Sequence, residues 1–372
     1  MANRAIVVGG GIVGLSTAWW LRRAGWHVAL FEQGPLPNPL GSSFDRHRLI
    51  RYPYGSSVGY ARMVHEAYEA WEELWSDLGE SLYAPTGTLV IRRTDGGWAD
   101  AAARSLDALA LPYREAGVTE CVEAYPFLRW EGVKSAFRLA SGGVLFAEQI
   151  VTALVRHLEK RGVQLHSNTA VTAVDFERAR VVTSAGADER ADALVIAAGA
   201  WVAKLLPQFA GRLTPSRQVV AYLVPPAASA AAWAAAPMIM DLDAEPGLYV
   251  VPAVRGAGLK VGDHGFTRSG DPSSRRGAAA SEARKVFEKC RRLFRDLDGY
   301  RIESARDCFY TVAPEERFVL EQIAAGWVAS ACSGHGFKFG PATGRVLGDG
   351  VMGVRSARDV SAWAAGTKTA SA

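Results

Sequence analysis

Only four cysteines occur in 372 residues, at positions 121, 290, 308 and 332. Their irregular spacing offers neither a disulfide framework nor the paired ligands of a zinc site, a usage that fits a reducing compartment and makes the cytoplasm the expected location. Charge of one sign is equally scarce. The formal net charge is +4 and the basic residues are scattered, which argues against a nucleic-acid stripe or a polybasic membrane patch. The cluster "RRLFR" from Arg291 reads as a solvated helix face. No apolar run reaches the roughly 18 residues of a bilayer-spanning helix. The N-terminus superficially resembles a signal peptide, but glycines interrupt its apolar run and Arg22 and Arg23 follow, so it reads as a structural element.

What the chain does have is ordinary for a globular enzyme: 49% hydrophobic and 22% charged residues. Its length is enough for two lobes that each bury an apolar interior. The first lobe opens with "RAIVVGGGIVGLSTAWWLRRAG". Ala5 to Val8 form a short β-branched run suited to a strand buried on both faces, and from Ile12 the pattern turns helical until Gly25. Between them lies Gly9-x-Gly11-x-x-Gly14. Gly9 permits the tight turn, Gly11 lets a pyrophosphate approach the backbone, and Gly14 lets helix and strand close together, with the helix N-terminus facing the phosphates. A second strand, "HVALF", ends at Glu32, where an acidic residue hydrogen-bonds an adenosine ribose. Strand, glycines, helix, strand and acid in this order predict a Rossmann-like unit that binds a dinucleotide. The motif alone serves FAD and NAD equally.

Farther on, "GSSFDRHRLIRYPYG" is a polar loop with arginines at 46, 48 and 51. A long helix follows, in which Val64, Tyr68, Trp71, Trp75 and Leu78 share an apolar face and read as core. Ile150, Val151, Leu154, Val155 and Leu158 mark another amphipathic helix. "VQLHS", "AVTAVDF" and "ARVVTS" read as a β-meander, and "ADALVIAAGAW" as a buried strand ending in small residues where backbone can approach a flat ligand. Between Arg217 and Tyr310 the pattern is strand-rich, interrupted by an Ala-rich stretch at 227–236 and a Gly/Ser/Arg loop at 269–277. "WVASACSGHGFKFGPATGRVLGDG" closes the chain as strand, glycine loop and helix, so the dinucleotide lobe draws on both termini.

These residues carry a resemblance to a known family. In order along nearly the whole chain, "GSSFDRHRLIR", "SGGVLFAEQI", "SRQVV", "GLKVGDH", "CFYT" and "SGHGFKF" resemble the monomeric sarcosine oxidase and N-methyltryptophan oxidase family, FAD-dependent amine oxidases of the D-amino acid oxidase superfamily. The resemblance implies an α/β, two-domain FAD-dependent oxidoreductase. Its Rossmann-like FAD-binding domain would comprise residues 1–85, 142–215 and 320–372, and a mixed β-sheet substrate domain residues 86–141 and 216–319. It implies FAD rather than NAD, with Gly9, Gly11, Gly14 and Glu32 at the ADP moiety, Val171 on the adenine side, and Ser42, Ser43, Arg48, Gly334, Gly336, Phe337 and Lys338 as further cofactor contacts. It also implies a monomer acting on a small amino acid and O2.

The implied reaction is oxidation of a secondary amino acid: hydride passes from the carbon beside nitrogen to flavin N5, the imine is hydrolysed, and O2 becomes H2O2. Arg51 and Lys338 fall at the positions of a carboxylate clamp, a forked donor and a point charge. Lys260 falls at the position that promotes reaction with oxygen, a fixed cation beside developing negative charge. Strand alternation places Lys260 and His264 on one face, and His264, Tyr310 and Tyr249 fall at positions near the substrate. On its own Cys308 reads as a buried small hydrophobe. In the family pattern it is the residue that carries the flavin 8α-methyl as a thioether, with Arg306 favouring and Asp307 opposing its thiolate; Cys332 reads as core. Asp45 and Arg46 depart from the sarcosine oxidases, and Asp45 is reminiscent of fructosyl-amine and pipecolate-type relatives. Asp263 beside His264 is expected to add an acid near the site. Both departures point away from sarcosine toward a larger or cyclic secondary amino acid, a secondary-metabolite imino acid or a glycated amine. An NAD(P)-dependent dehydrogenase, or a flavin-binding protein without turnover, are the readings from other classes.

Overall fold

The computed structural model describes residues 3–274, 277–330 and 332–367. Its central layer is a six-stranded sheet in the order Val319–Ile323, Gly326–Ser330, Ala193–Ile196, Arg4–Val8, His27–Phe31, Gln164–His166. All neighbours are parallel except the first pair, an antiparallel hairpin. The Arg4–Val8 strand has parallel partners on both sides and helices covering the sheet, which is why its sequence is a continuous apolar run. The turn after it requires its glycines. Gly9 has φ +112°, and a Cβ on Gly14 would lie 1.9 Å from the Gly9 carbonyl oxygen. The Ile12–Arg23 helix is joined on its flank by the C-terminal Gly340–Val351 helix, where a Cβ on Gly344 would lie 2.4 Å from the Ser16 backbone. Close approach at these small residues is how the two termini build one layer.

The second layer is an eight-stranded mixed sheet, in the order Arg301–Val312, Thr214–Val224, Leu259–Asp263, Leu248–Val251, Met238–Asp241, Thr88–Arg92, Ser135–Leu139, Arg114–Ala116. One face buries Leu223, Val250, Leu259 and Val261 in the second apolar core; the other faces the first sheet. The long Val58–Leu78 helix buries Val64, Trp71 and Trp75, and Trp71 stacks on Trp75 at 4.8 Å, a core role rather than a cofactor stack.

Two expectations change, and a third gains its form. "VQLHS" does not join the meander: Gln164–His166 returns as the parallel edge strand beside His27–Phe31, because a helical crossover precedes it, and the meander's third strand is Asp188–Arg190. "RRLFR" is a short 3₁₀ turn with Leu293 and Phe294 fully buried, and Arg292 reaches the buried Asp241 carboxylate at 3.4 Å. The Ala-rich stretch folds as the helix Ala227–Ala234. Of the loop expected at 269–277, residues 275 and 276 lie outside the described residues. Among the described residues no helix is long and apolar enough to cross a membrane, and no group of side chains forms a metal site.

Candidate active site

A cavity of about 540 Å³ runs between the two layers, in the usual range for ligand clefts. It lies outside the carboxyl ends of the parallel strands, lined there by Val8, Phe31, Ala197 and Ser330, where open α/β sheets bind ligands. Of the candidates drawn from the sequence, only Gly14 does not line it; that glycine sits behind the turn. The cavity reaches Gly9, Gly11, Glu32 and Val171 at one end, passes Ser42, Ser43, Arg48, Lys260 and Cys308, and reaches Arg51, Tyr249, His264, Tyr310, Gly334, Gly336, Phe337 and Lys338.

At the first end, Glu32 is buried at the tip of its strand. Its carboxylate accepts the Gly10 N–H at 2.7 Å, the Gly34 N–H at 3.0 Å and the Asn38 amide at 2.8 Å. Ser43 Oγ accepts the Ile12 N–H at 2.9 Å and so seats the polar loop on the first turn of the helix. A Cβ on Gly11 would meet only that hydroxyl, at 3.2 Å, and otherwise enter the cavity.

In the middle, Asp45 organises the loop. One carboxylate oxygen accepts Lys260 Nζ at 2.5 Å and Arg48 Nη1; the other accepts the Tyr222 hydroxyl at 2.5 Å and the Arg46 N–H at 2.9 Å. Sheet register explains the convergence, since Lys260 and Tyr222 are direct cross-strand partners on the cavity face. Lys260 Nζ also donates to the His47 carbonyl at 3.1 Å. Burial, then the charge of Arg48, pulls the Lys260 ammonium well below the usual lysine range, and the adjoining carboxylate acts the other way. Asp263 does not add an acid here. Alternation turns it to the opposite face, where its carboxylate meets Lys289 at 2.6 Å.

At the far end two cations lie buried with no acidic partner among the described residues. Arg51 is 8% exposed, and its Nε and Nη1 have no hydrogen-bond acceptor. Its guanidinium lies over the rings of Tyr54, at 4.7 Å, and Trp98, at 5.7 Å. Lys338 is 3% exposed and donates to the Tyr54 hydroxyl at 2.9 Å and the His335 carbonyl at 3.0 Å. The indole of Trp71 donates to the Lys338 carbonyl at 2.7 Å, so the long helix holds the lysine's backbone. Burial, then the Arg51 charge, lowers the Lys338 pKa well below its usual range. Burial pushes the Tyr249 hydroxyl up to about 12, with the Arg48 charge and the neighbouring Tyr310 acting the other way. Tyr249 lies across Gly262, where a Cβ would sit 2.3 Å from its hydroxyl oxygen; this is why "GLKVGDH" carries a glycine there. His264 sits at the rim, half-exposed, with Nε2 3.6 Å from the Glu316 carboxylate.

Cys308 is buried on the cavity face of its strand, two residues from Tyr310 and opposite Gln218. Burial raises its thiol pKa, and Arg48 and Lys260 oppose that rise. The flanking charges expected to matter do so less: Asp307 points to the other face and meets Arg217 at 3.1 Å, while Arg306 donates to the Pro39 carbonyl at 2.6 Å. Cys332 is not core. It lines the same cavity, with its thiol near the Thr311 and Gly334 amides.

The residues present fit a dinucleotide with a flat ring system. The Gly11 gap admits a phosphate to bare backbone at a helix start, and the buried hydroxyls of Thr311 and Ser330 line the cavity without a hydrogen-bond partner. The family described as "DAO: FAD dependent oxidoreductase" matches residues 4–350. The chain belongs to that family. The monomeric sarcosine oxidase of Bacillus sp. (strain NS-129) is 28% identical over 96% of this chain and 94% of its own. The N-methyl-L-tryptophan oxidase of Yersinia pestis (strain Pestoides F) is 26% identical over 96% and 97%. Among solved structures, the L-proline dehydrogenase from P. horikoshii superposes with a TM-score of 0.83 at 20% identity, covering 98% of this chain and 97% of that one. The glycine oxidase from Geobacillus kaustophilus gives 0.80 at 20% identity, over 98% and 99%.

Several residues that line this FAD-dependent oxidoreductase's cavity or hold its lining side chains escaped sequence reading. Tyr54, His335, Trp98 and Tyr222 have no local signal, because they reach the site from separate elements. For Tyr54 a hint existed in "RYPYG", three residues beyond Arg51 on the same polar loop.

Proposed function

We propose that this oxidoreductase oxidises a secondary amino acid, N-alkyl or cyclic, to an imine, with O2 reduced to H2O2. The observation that carries this reading is the pair of buried cations at one end of the cavity, Arg51 and Lys338. Among the described residues Arg51 Nε and Nη1 have no acceptor, and a buried donor is costly unless a ligand satisfies it. A carboxylate suits both cations, since it takes a forked donor and a point charge at once. When bound, FAD supplies the two-electron acceptor, taking a hydride from the carbon beside the substrate nitrogen and passing electrons to O2. Gly9, Gly11 and Glu32 would hold its ADP portion, and Ser42, Ser43, Arg48 and the Gly334–Lys338 segment the remainder.

In this reading each chain group has a defined task. Arg51 and Lys338 bind and orient the carboxylate, Tyr249 and Tyr310 wall the reacting carbon from water, and Lys260 holds a proton and a positive charge against the ring. His264 adjusts polarity at the rim. Residues 1–85, 142–215 and 320–372 serve the cofactor and 86–141 and 216–319 the substrate, a division that the membership of the two sheets supports. A substrate panel read by peroxide release tests the reaction: N-methyl and cyclic imino acids should give peroxide, and silence across the panel would overturn the reading.

Cys308 is proposed to carry the flavin as a thioether. Its burial on the cavity face, two residues from Tyr310, supports this, and acid denaturation tests it. Yellow colour is expected in the precipitated chain, and it should pass to the supernatant in Cys308→Ser.

A further inference from the structure

Lys338 lies at one end of a hydrogen-bonded chain whose direction can be derived. His335 Nε2 lies 3.0 Å from the Glu316 carbonyl oxygen, which can only accept, so Nε2 carries the proton. A positive charge on the ring is disfavoured, because burial and then the neighbouring Lys338 hold the His335 pKa well below its usual range. Nδ1 is therefore a bare acceptor. It lies 3.1 Å from the Tyr54 hydroxyl, which must donate its one proton to it. The Tyr54 oxygen is then free to accept from Lys338 Nζ at 2.9 Å, and the lysine's second N–H goes to the His335 carbonyl at 3.0 Å. Two protein acceptors use two N–H bonds. Only the charged ammonium has a third, and the cavity wall at Lys338 gives it an exit toward the ligand space.

The surroundings hold this chain in one orientation. The His335 ring is stacked on Phe318 at 4.6 Å and met edge-on by Tyr60 at 5.1 Å. Glu316 presents its carbonyl from a turn in which Glu315 and Glu316 have φ of 53° and 57°, a region that residues other than glycine rarely adopt. The same residue's carboxylate faces His264 at the rim. One strained turn thus touches both histidines of the substrate end.

We propose that Tyr54 and His335 are positioning residues for anion binding, acting through Lys338: the relay from the Glu316 carbonyl through His335 and Tyr54 aims the lysine's remaining N–H at the substrate carboxylate. The proposal rests on the reading of Arg51 and Lys338 as the carboxylate clamp. It makes Tyr54 more than the aromatic floor under Arg51.

The test is a double-mutant cycle on the purified flavoprotein. Acetate and benzoate are titrated by calorimetry and by the flavin absorbance change, with acetamide as an uncharged control. Tyr54→Phe keeps the ring under Arg51 and removes only the hydroxyl; it should weaken both carboxylates roughly fivefold to tenfold, within the range for one ordinary lost hydrogen bond, because its effect on the ligand is indirect. His335→Phe should do the same, whereas His335→Asn, which keeps a side-chain acceptor facing Tyr54, should stay within about twofold of the parent. In a Lys338→Met background Tyr54→Phe should add less than about twofold, because its effect runs through the lysine. Additive losses in that background, or equal losses for acetamide, would show a structural role and overturn the proposal. If Lys338→Met alone leaves acetate binding unchanged, the clamp reading falls first, and that result is seen in a variant separate from the relay. Should Tyr54→Phe not fold, the contrast between His335→Phe and His335→Asn, each with and without Lys338→Met, decides the same question.

Discussion

Lys260→Met is expected to slow reoxidation of the reduced flavin by O2 roughly 10²- to 10³-fold, the scale for losing one preorganised charge-stabilising group. Reduction of the flavin by substrate should change far less. The asymmetry follows from the site. Lys260 is 3% exposed, its Nζ is fixed by the Asp45 carboxylate at 2.5 Å and the His47 carbonyl at 3.1 Å, and so its charge is in place before negative charge develops on oxygen. Arg51 and Lys338, the proposed carboxylate clamp, lie at the far end of the cavity and are left intact. Asp45 keeps Arg48 and Tyr222 as partners in the variant, so the loop keeps its anchor. Stopped-flow measurement of both half-reactions is the check, and equal slowing of the two would remove Lys260 from this role. Lys260→Arg should retain part of the oxygen reactivity, since the charge survives at a displaced position.

Arg51→Met and Lys338→Met should each weaken carboxylate ligands by about 30-fold or more, the usual consequence of removing one partner from a buried charge pair. Arg51→Met should have the larger effect, because its two unpaired N–H groups match a forked acceptor. The same argument sets a pH dependence. Carboxylate binding needs the protonated ammonium of Lys338, whose pKa is lowered by burial and by Arg51, so affinity should fall as pH rises through that lowered value. A bound carboxylate favours the ammonium, so the fall begins at the free protein's lowered value and levels off at the higher value of the complex. In Lys338→Met this alkaline limb should vanish, leaving weak binding that does not fall until much higher pH. Dissociation constants across pH are the measurement; an unchanged constant in either variant would take that residue out of the clamp.

Much of the dinucleotide end was legible from the chain alone. Gly9, Gly11, Gly14 and Glu32 are read from spacing because a βαβ turn gathers residues close in sequence around one end of the cavity, with Gly14 packed behind the turn. The strand pattern of "GLKVGDH" likewise put Lys260 and Asp263 on opposite faces by simple alternation. The charge setting of Cys308 was less legible. Its neighbours Arg306 and Asp307 suggested local control of the thiol, yet in a strand adjacent residues point apart, and the cations facing Cys308 are Arg48 and Lys260 from two other segments. The error over "VQLHS" has a related origin, since an edge strand of a parallel sheet and a strand of a meander share the same short alternating pattern.

The sequence by itself determined the Rossmann-like dinucleotide unit and most of the order of elements, because these depend on local periodicity and on motifs confined to one turn or strand; FAD rather than NAD, and the candidate site residues, followed from the family resemblance. Only the tertiary structure decided how those side chains act on one another. Asp45 meets Lys260 across 215 residues of chain, and Tyr54 meets Lys338 across 284. Such pairings are set by how two sheets stack and where a loop is pinned, and no local pattern encodes a contact between segments so far apart. The physical weight of the site lies in those long-range contacts: a buried cation held against a carboxylate at the middle of the cavity, and a second held by a neutral hydroxyl at its end, which leaves charge there for a ligand to meet.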